Sequence, residues 1–169
     1  MKKIITTPRM YLREFIPEDS IHFFHMNNDP EVIKYTGDPP FSSQDAAAKF
    51  ITTYTAYQET GVGRYAVIRK TDDTFLGWCG LKYHPQEGVY DIGYRFYKCY
   101  WGEGYATESA KAVIDYAFLT LKFPFLVAHA HIDNLASHRV IAKCGMYLVK
   151  HIDYDGLPAI LYRIDNTQS

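Results

Sequence analysis

The sequence predicts an α/β fold: one domain over residues 1–169, built on a mixed sheet with helices on both faces. Three observations lead there. Segments with strand periodicity and segments with helical periodicity interleave along the chain. No linker, repeat or low-complexity stretch divides it. A length of 169 residues with 47% hydrophobic content suffices for one proper core and is too short for two independent catalytic domains. The predicted order of elements is βααβββαβαββ.

Each element has a local reason. Met10-Tyr11-Leu12-Arg13-Glu14-Phe15 alternates as a strand. Pro17-Glu18-Asp19 opens a helix that runs through His25, and Ser42-Ser43-Gln44-Asp45 caps another that runs towards Tyr57. Strands over Arg64 to Lys70 and Thr74 to Leu81 flank the polar connection Thr71-Asp72-Asp73, and Gly88 to Tyr97 forms a third after the turn His84-Pro85-Gln86-Glu87. Ala106, Ala110, Val113, Ala117 and Leu121 fall at helical steps, a stripe of mostly small residues suited to close packing on a sheet. Phe125 to Ile132 reads as a buried strand, Asn134 to Lys143 as a short helix, and Met146 to Asp153 with Leu157 to Ile164 as a hairpin around Asp155-Gly156.

Composition narrows the function. A formal net charge of -1 argues against broad affinity for nucleic acid or membrane, since both depend on a basic surface. Cys79, Cys99 and Cys144 show no paired spacing of the metal-site kind, and their odd number suits reduced thiols in a cytoplasm. There is no apolar stretch of ~20 residues and no cationic start followed by an apolar signal core. The expectation is a soluble cytoplasmic protein, a monomer or homodimer, with one site and no metal.

The most informative run is Tyr100-Trp101-Gly102-Glu103-Gly104-Tyr105-Ala106-Thr107-Glu108-Ser109, which joins an aromatic-rich strand to a long helix. Gly102 and Gly104 allow tight turns and close approach of the backbone to a ligand, so that successive N–H groups converge. The helix that follows turns its unsatisfied N–H groups and positive dipole end to the same spot, which is how a pyrophosphate is held without side chains. A turn that needs glycines for geometry alone is the plainer reading of a bare Gly-x-Gly. A dinucleotide-binding fingerprint fits poorly, because it would need glycine where Thr107 stands.

With these residues the chain resembles the GNAT superfamily of acyl-CoA-dependent N-acetyltransferases, in the branch that acetylates ribosomal-protein N-termini. The family's phosphate-binding pattern falls on Trp101-Gly102-Glu103-Gly104-Tyr105-Ala106, with Trp101 in place of the usual Gln or Arg, a departure common in that branch. Pro8-Arg9-Met10-Tyr11-Leu12-Arg13, Ile92-Gly93-Tyr94, Asn134-Leu135-Ala136-Ser137 and Lys143-Cys144-Gly145-Met146 match in order. The resemblance implies acetyl-CoA as co-substrate, a primary amine as acceptor and direct attack in a ternary complex. It also implies a splay between two central parallel strands, Val89 to Tyr97 and Phe125 to Ile132. Gly102, Glu103, Gly104, Tyr105, Ala106 and Thr107 would then hold the pyrophosphate. Backbone groups of Tyr94, Arg95 and Phe96 would hold the pantetheine arm, as an extra strand is held, and a backbone N–H near Tyr94 would polarise the carbonyl.

The remaining candidates each have a plainer alternative. Asn134 and Ser137 suit a helix N-cap, while the resemblance gives Asn134 a contact with the CoA arm. The family's usual acidic Tyr falls on Ile141; enzymes of the resembled branch use the Ser three residues after the Asn instead, so the resemblance implies Ser137 as the hydrogen-bond donor to the departing thiolate. Lys143 either touches a CoA phosphate or simply complements the helix dipole. Asp91 is a candidate base acting through water, or a structural acid on its strand. His129 and His131 share a strand face, which would suit a proton relay or a metal pair; no third ligand is evident, and a structural role is expected. Cys99, with no adjacent His, is expected to be packed and inert rather than an acyl carrier. The acceptor is read as a protein or peptide α-amine, alternatively a small-molecule amine or antibiotic. A CoA-binding regulatory domain without catalysis is the alternative of another class.

Overall fold

The structure, a computed structural model, describes residues 2–167. Its strands are β1 (Lys3–Thr6), β2 (Met10–Arg13), β3 (Arg64–Arg69), β4 (Thr74–His84), β5 (Val89–Phe96), β6 (Phe125–His131), β7 (Tyr147–Tyr154) and β8 (Leu157–Asp165). They form one eight-stranded sheet in the order β1-β2-β3-β4-β5-β6-β8-β7. The helices are α1 (Ser20–Asn27), α2 (Pro30–Ile33), α3 (Gln44–Thr52), α4 (Ala56–Thr60), α5 (Tyr105–Asp115) and α6 (Leu135–Lys143). The mixed α/β architecture is the one expected, and the first five strands are joined antiparallel before α5 carries the chain over to a parallel partner.

Three local expectations are corrected. Lys3–Thr6 forms an additional edge strand whose only buried side chain is Ile5, too faint a pattern to read in isolation. β2 ends at Arg13 and is buried on both faces rather than one, because helical layers lie on either side of it. Arg13 is admitted there by a two-pronged ion pair with buried Asp19, at 2.8 and 2.9 Å. The long helix towards Tyr57 is two helices, broken at residues 53–55. Ser43 caps the first as expected, its hydroxyl accepting from the Ala46 N–H at 3.0 Å.

Other elements follow their sequence logic. At the β7–β8 hairpin, Asp155 and Gly156 both take positive φ, as a two-residue turn of that hand requires. The small-residue stripe of α5 packs Ala110, Val113 and, in the π-helical turn that follows, Ala117 onto the sheet. A second core, with Phe23, Met26, Ala47 and Ile51 from α1 and α3, fills the opposite face.

The sheet is divided at its centre. β4 and β5 pair continuously from Gly77↔Phe96 to His84↔Val89, and β6 and β8 from Phe125↔Asp165 to His131↔Ala159. Between them β5 and β6 register at a single point, Asp91↔Val127. Both residues lie near the starts of their strands, so the C-terminal halves of β5 and β6 part, as the splay expectation has it.

Candidate active site

A cleft of about 1880 Å3 opens where β5 and β6 separate. Asp91, Tyr94, Arg95, Phe96, Gly102, Gly104, Tyr105, Ala106, Thr107, Asn134, Ser137 and Lys143 all line it; of the predicted site residues only Glu103 does not.

The glycine loop is set by backbone conformation. Gly102 and Gly104 each have φ of +80°, a region that L side chains avoid. A Cβ at Gly102 would meet no protein atom within 4 Å, so glycine is needed there for the turn, and the space beside it is open. The first bond within α5 runs from the Glu108 N–H to the Gly104 carbonyl at 3.0 Å. The Tyr105, Ala106 and Thr107 N–H groups therefore have no acceptor within the helix, and these residues face the cleft. Trp101 donates its indole N–H to the Phe96 carbonyl at 3.1 Å, tying the loop to the end of β5.

Strand register decides which backbone groups face the gap. The Tyr97 N–H donates to the Leu76 carbonyl at 3.1 Å, which makes the neighbouring Gly77↔Phe96 pair a wide, non-hydrogen-bonded one. Alternation then turns the N–H and C=O of Phe96 and Tyr94 towards β6, where β6 has drawn away. Those of Arg95 point into the β4 ladder. Of the three residues expected to hold a pantetheine arm through their backbones, Tyr94 and Phe96 turn theirs to the gap, where the Phe96 carbonyl already accepts from the Trp101 indole. Arg95 instead uses its side chain, which bonds Asn27 Oδ1 at 2.9 Å and Asp38 Oδ2 at 2.8 Å.

On the α5/α6 side, the Tyr94 hydroxyl lies 3.1 Å from Ser137 Oγ. Burial pushes the Tyr94 phenol up to about 12, against the opposing pull of that bond. Asn134 caps α6, its Oδ1 accepting from the Ser137 N–H at 3.3 Å. Ile141 is core. Burial also pushes the cleft-lining Cys144 thiol up to about 11, which leaves it a poor nucleophile. Lys143 is exposed at the end of α6. Cys99, expected to be packed, is exposed, because its short 3-10 turn projects from the sheet.

On the opposite side, Asp91 is 2% exposed and doubly held. Its Oδ1 is 2.8 Å from Arg64 Nη2, close but without an aligned hydrogen bond, and its Oδ2 bonds His84 Nε2 at 2.5 Å. Burial alone would raise its pKa; Arg64 and His84 outweigh that and hold the carboxyl at about 2. Arg64 reaches Asp91 by lying flat across Gly93, where a Cβ would stand 3.0 Å from its Nη2. That close approach is the local reason for glycine in Ile92-Gly93-Tyr94. His129, two residues beyond the Asp91↔Val127 contact, shares this face and lines the cleft, stacked on Tyr154 with ring centroids 3.8 Å apart. Burial pulls its imidazole below the ordinary 6.5, although Asp91 pushes the other way. Period-two spacing placed His129 and His131 on one face, but nothing in the sequence marked His129 as half-buried near the Asp91 carboxylate. Among the described residues no group of three His, Cys, Asp or Glu could hold a metal ion, and no helix is long and apolar enough to cross a membrane.

Sheet order, central splay and glycine loop together define an acyl-CoA-dependent transferase fold. Residues 9–147 match the Acetyltransferase (GNAT) domain family. The uncharacterized N-acetyltransferase YnaD of Bacillus subtilis (strain 168) is 30% identical over 142 residues, 84% of this chain and 81% of its own length. A GNAT-family acetyltransferase from Bacillus anthracis superposes with a TM-score of 0.84 at 24% identity, covering 97% of this chain and 99% of its own. The ribosomal L7/L12 alpha-N-protein acetyltransferase RimL, solved in complex with coenzyme A, superposes with a TM-score of 0.85 at 16% identity, covering 99% and 100%. The chain belongs to the GNAT acetyltransferase family and is an acyl-CoA-dependent N-acetyltransferase.

Proposed function

We propose that the protein transfers an acetyl group from acetyl-CoA to an α-amine of a protein or peptide, by direct attack within a ternary complex. The residues present suit the co-substrate. Gly102, Gly104 and the first turn of α5 would hold the pyrophosphate, with Thr107 at the same helix end and Lys143 across the cleft. Tyr94 and Phe96 would hold the pantetheine arm along β5, and the Tyr94 N–H would polarise the thioester carbonyl. Ser137, hydrogen-bonded to the Tyr94 phenol, would stabilise the departing thiolate, with Asn134 orienting the start of α6.

The acceptor class is carried by the strength of the available base. Asp91 at about 2 is too weak: taking a proton at pH 7 would cost it about 5 pKa units, or ~7 kcal/mol. We assign it instead to holding Arg64 and His84. His129, neutral at pH 7 on the cleft wall, is the better-matched acceptor. An α-ammonium titrates ~2.5 pKa units below a lysine-like ammonium, so the same lowered imidazole takes its proton at a cost ~3 kcal/mol smaller. The site therefore favours amines that are already close to neutral.

A thiol-release screen at pH 7 tests this reading. Short peptides with free N-termini and blocked lysines should give at least ~10-fold higher kcat/KM than spermidine or N-blocked lysine peptides, as the difference in transfer cost implies. A higher kcat/KM for the alkyl amines would overturn it.

A further inference from the structure

We propose that Arg9 is a positioning residue for the glycine loop: it aims the Gly104 N–H into the cleft and thereby sets affinity for the pyrophosphate of acyl-CoA. The inference rests on acyl-CoA occupying the β5–β6 cleft.

Arg9 stands on a fixed platform between β1 and β2. The Thr7 N–H bonds the Met10 carbonyl at 2.9 Å, the Lys70 N–H bonds the Arg9 carbonyl at 2.9 Å, and Lys70 Nζ grips the Thr7 carbonyl. From there the Arg9 side chain reaches the loop at several points. Nη1 donates to the Glu103 carbonyl at 2.9 Å and Nε to Glu108 Oε1 at 2.9 Å, while the guanidinium lies 4.4 Å from the centre of the Tyr105 ring. Glu108 Oε2 accepts from the Thr7 hydroxyl at 2.7 Å and from the Arg9 N–H at 3.2 Å, so both carboxylate oxygens are occupied.

The grip on Glu103 has a directional consequence. In a trans peptide the C=O and the following N–H point in opposite directions, and no cis peptide occurs among the described residues. Gly104 lines the cleft, whereas Arg9 and Glu103 do not. With the Glu103 carbonyl drawn outward to Arg9, the Gly104 N–H on the same peptide plane faces inward. The peptide ends on Gly104, at φ +80°, with Gly102 at the same φ just before Glu103, and glycine resists a flip less than any other residue. An outside brace is what gives such a loop one orientation. Arg9 also offsets Glu108, whose charge in the first turn of α5 would otherwise oppose an incoming anion. Sequence reading matched Pro8-Arg9 to the family without giving it a role.

The test compares a ligand that has the pyrophosphate with one that lacks it. Calorimetry with CoA should show that Arg9→Ala raises Kd about ten- to a hundredfold, the range expected for a lost charge-assisted bond. With acetyl-pantetheine as donor and one peptide acceptor, kcat/KM should fall by less than about twofold, because that donor does not use the loop. Arg9→Lys, which keeps the charge and one donor, should recover part of the CoA affinity. If Arg9→Ala does not fold, Arg9→Gln, which keeps the length of the side chain but loses the fork to Glu108, should weaken CoA binding in the same direction. Unchanged CoA affinity, or equal losses with both donors, would overturn the proposal. Failure of the wild-type protein to bind CoA would instead overturn the placement of the co-substrate.

Discussion

Asp91 carries its charge across the whole pH range in which an amine acylation can be run, and that charge is committed to its neighbours. Arg64 reaches from β3 across β4 to meet it, held on the way by the Gly80 carbonyl at 2.8 Å, with its backbone gripped by the Tyr54 and Tyr57 hydroxyls. Replacing Asp91 with Asn would leave this largely buried guanidinium without its counter-charge, and loss of one partner from a buried pair costs about 3–5 kcal/mol. We expect Asp91→Asn to lose stability on that scale in urea titrations. Its residual acetylation rate should follow the wild-type pH profile in shape, because the base lies elsewhere. A rate that recovered selectively at alkaline pH would return the base role to Asp91.

At the scale of elements, α6 has two tasks that begin at the same residue. Asn134 caps the helix through the Ser137 N–H, and that bond also sets where the Ser137 hydroxyl stands relative to Tyr94. Stability and ligand contact can be separated by substitution. Asn134→Ala removes the cap and should cost ~1 kcal/mol. Asn134→Ser restores a capping oxygen but not an amide with both donor and acceptor. If the amide contacts the CoA arm, Asn134→Ser should unfold at the wild-type denaturant midpoint yet bind CoA several-fold more weakly. Wild-type affinity in that variant would reduce Asn134 to a cap. The strap between α2 and α3 shows how another element is fixed: Asp38 and Tyr35 cross from Arg95 on β5 to His131 on β6, so the splay is bridged by one ion pair and one ring contact at 5.1 Å.

Across the whole molecule, the same pairs that organise the site make stability depend on pH. Asp91 falls from 3.8 to about 2, and Glu108 lies below its ordinary 4.5 because bonds from Thr7 and Arg9 outweigh the opposing effect of burial. Both carboxyls are depressed in the folded state, so their stabilisation is complete above the unfolded values and is lost as pH falls through the folded ones. His129 is lowered by burial, so the unfolded chain takes that proton first and stability begins to decline once pH drops below about 6.5. Thermal midpoints should therefore decline gently from about pH 6.5 and steeply below about pH 4. A midpoint that stayed level down to about pH 3 would mean that these groups contribute little.

Most of this architecture is local enough to read in the sequence. Gly102 and Gly104, the Ser43 and Asn134 caps, the small-residue stripe of α5 and the Asp155-Gly156 turn are each decided within a few residues by backbone sterics or by one orphan N–H, so they can be recognised without the fold. Contacts across the sheet are a different matter. Nothing near Asp91 in the chain indicates that Arg64 and His84 would close on it, and nothing near Arg9 reveals a grip on Glu103. Tyr94 was legible as backbone; its phenol met Ser137 only when the start of α6 was brought to the cleft. Arg95 belonged to the pantetheine set by position, until register turned its amide into the β4 ladder. Charge state and orientation depend on neighbours far away in sequence, because burial and Coulomb interaction act through space, and only the folded sheet supplies those neighbours.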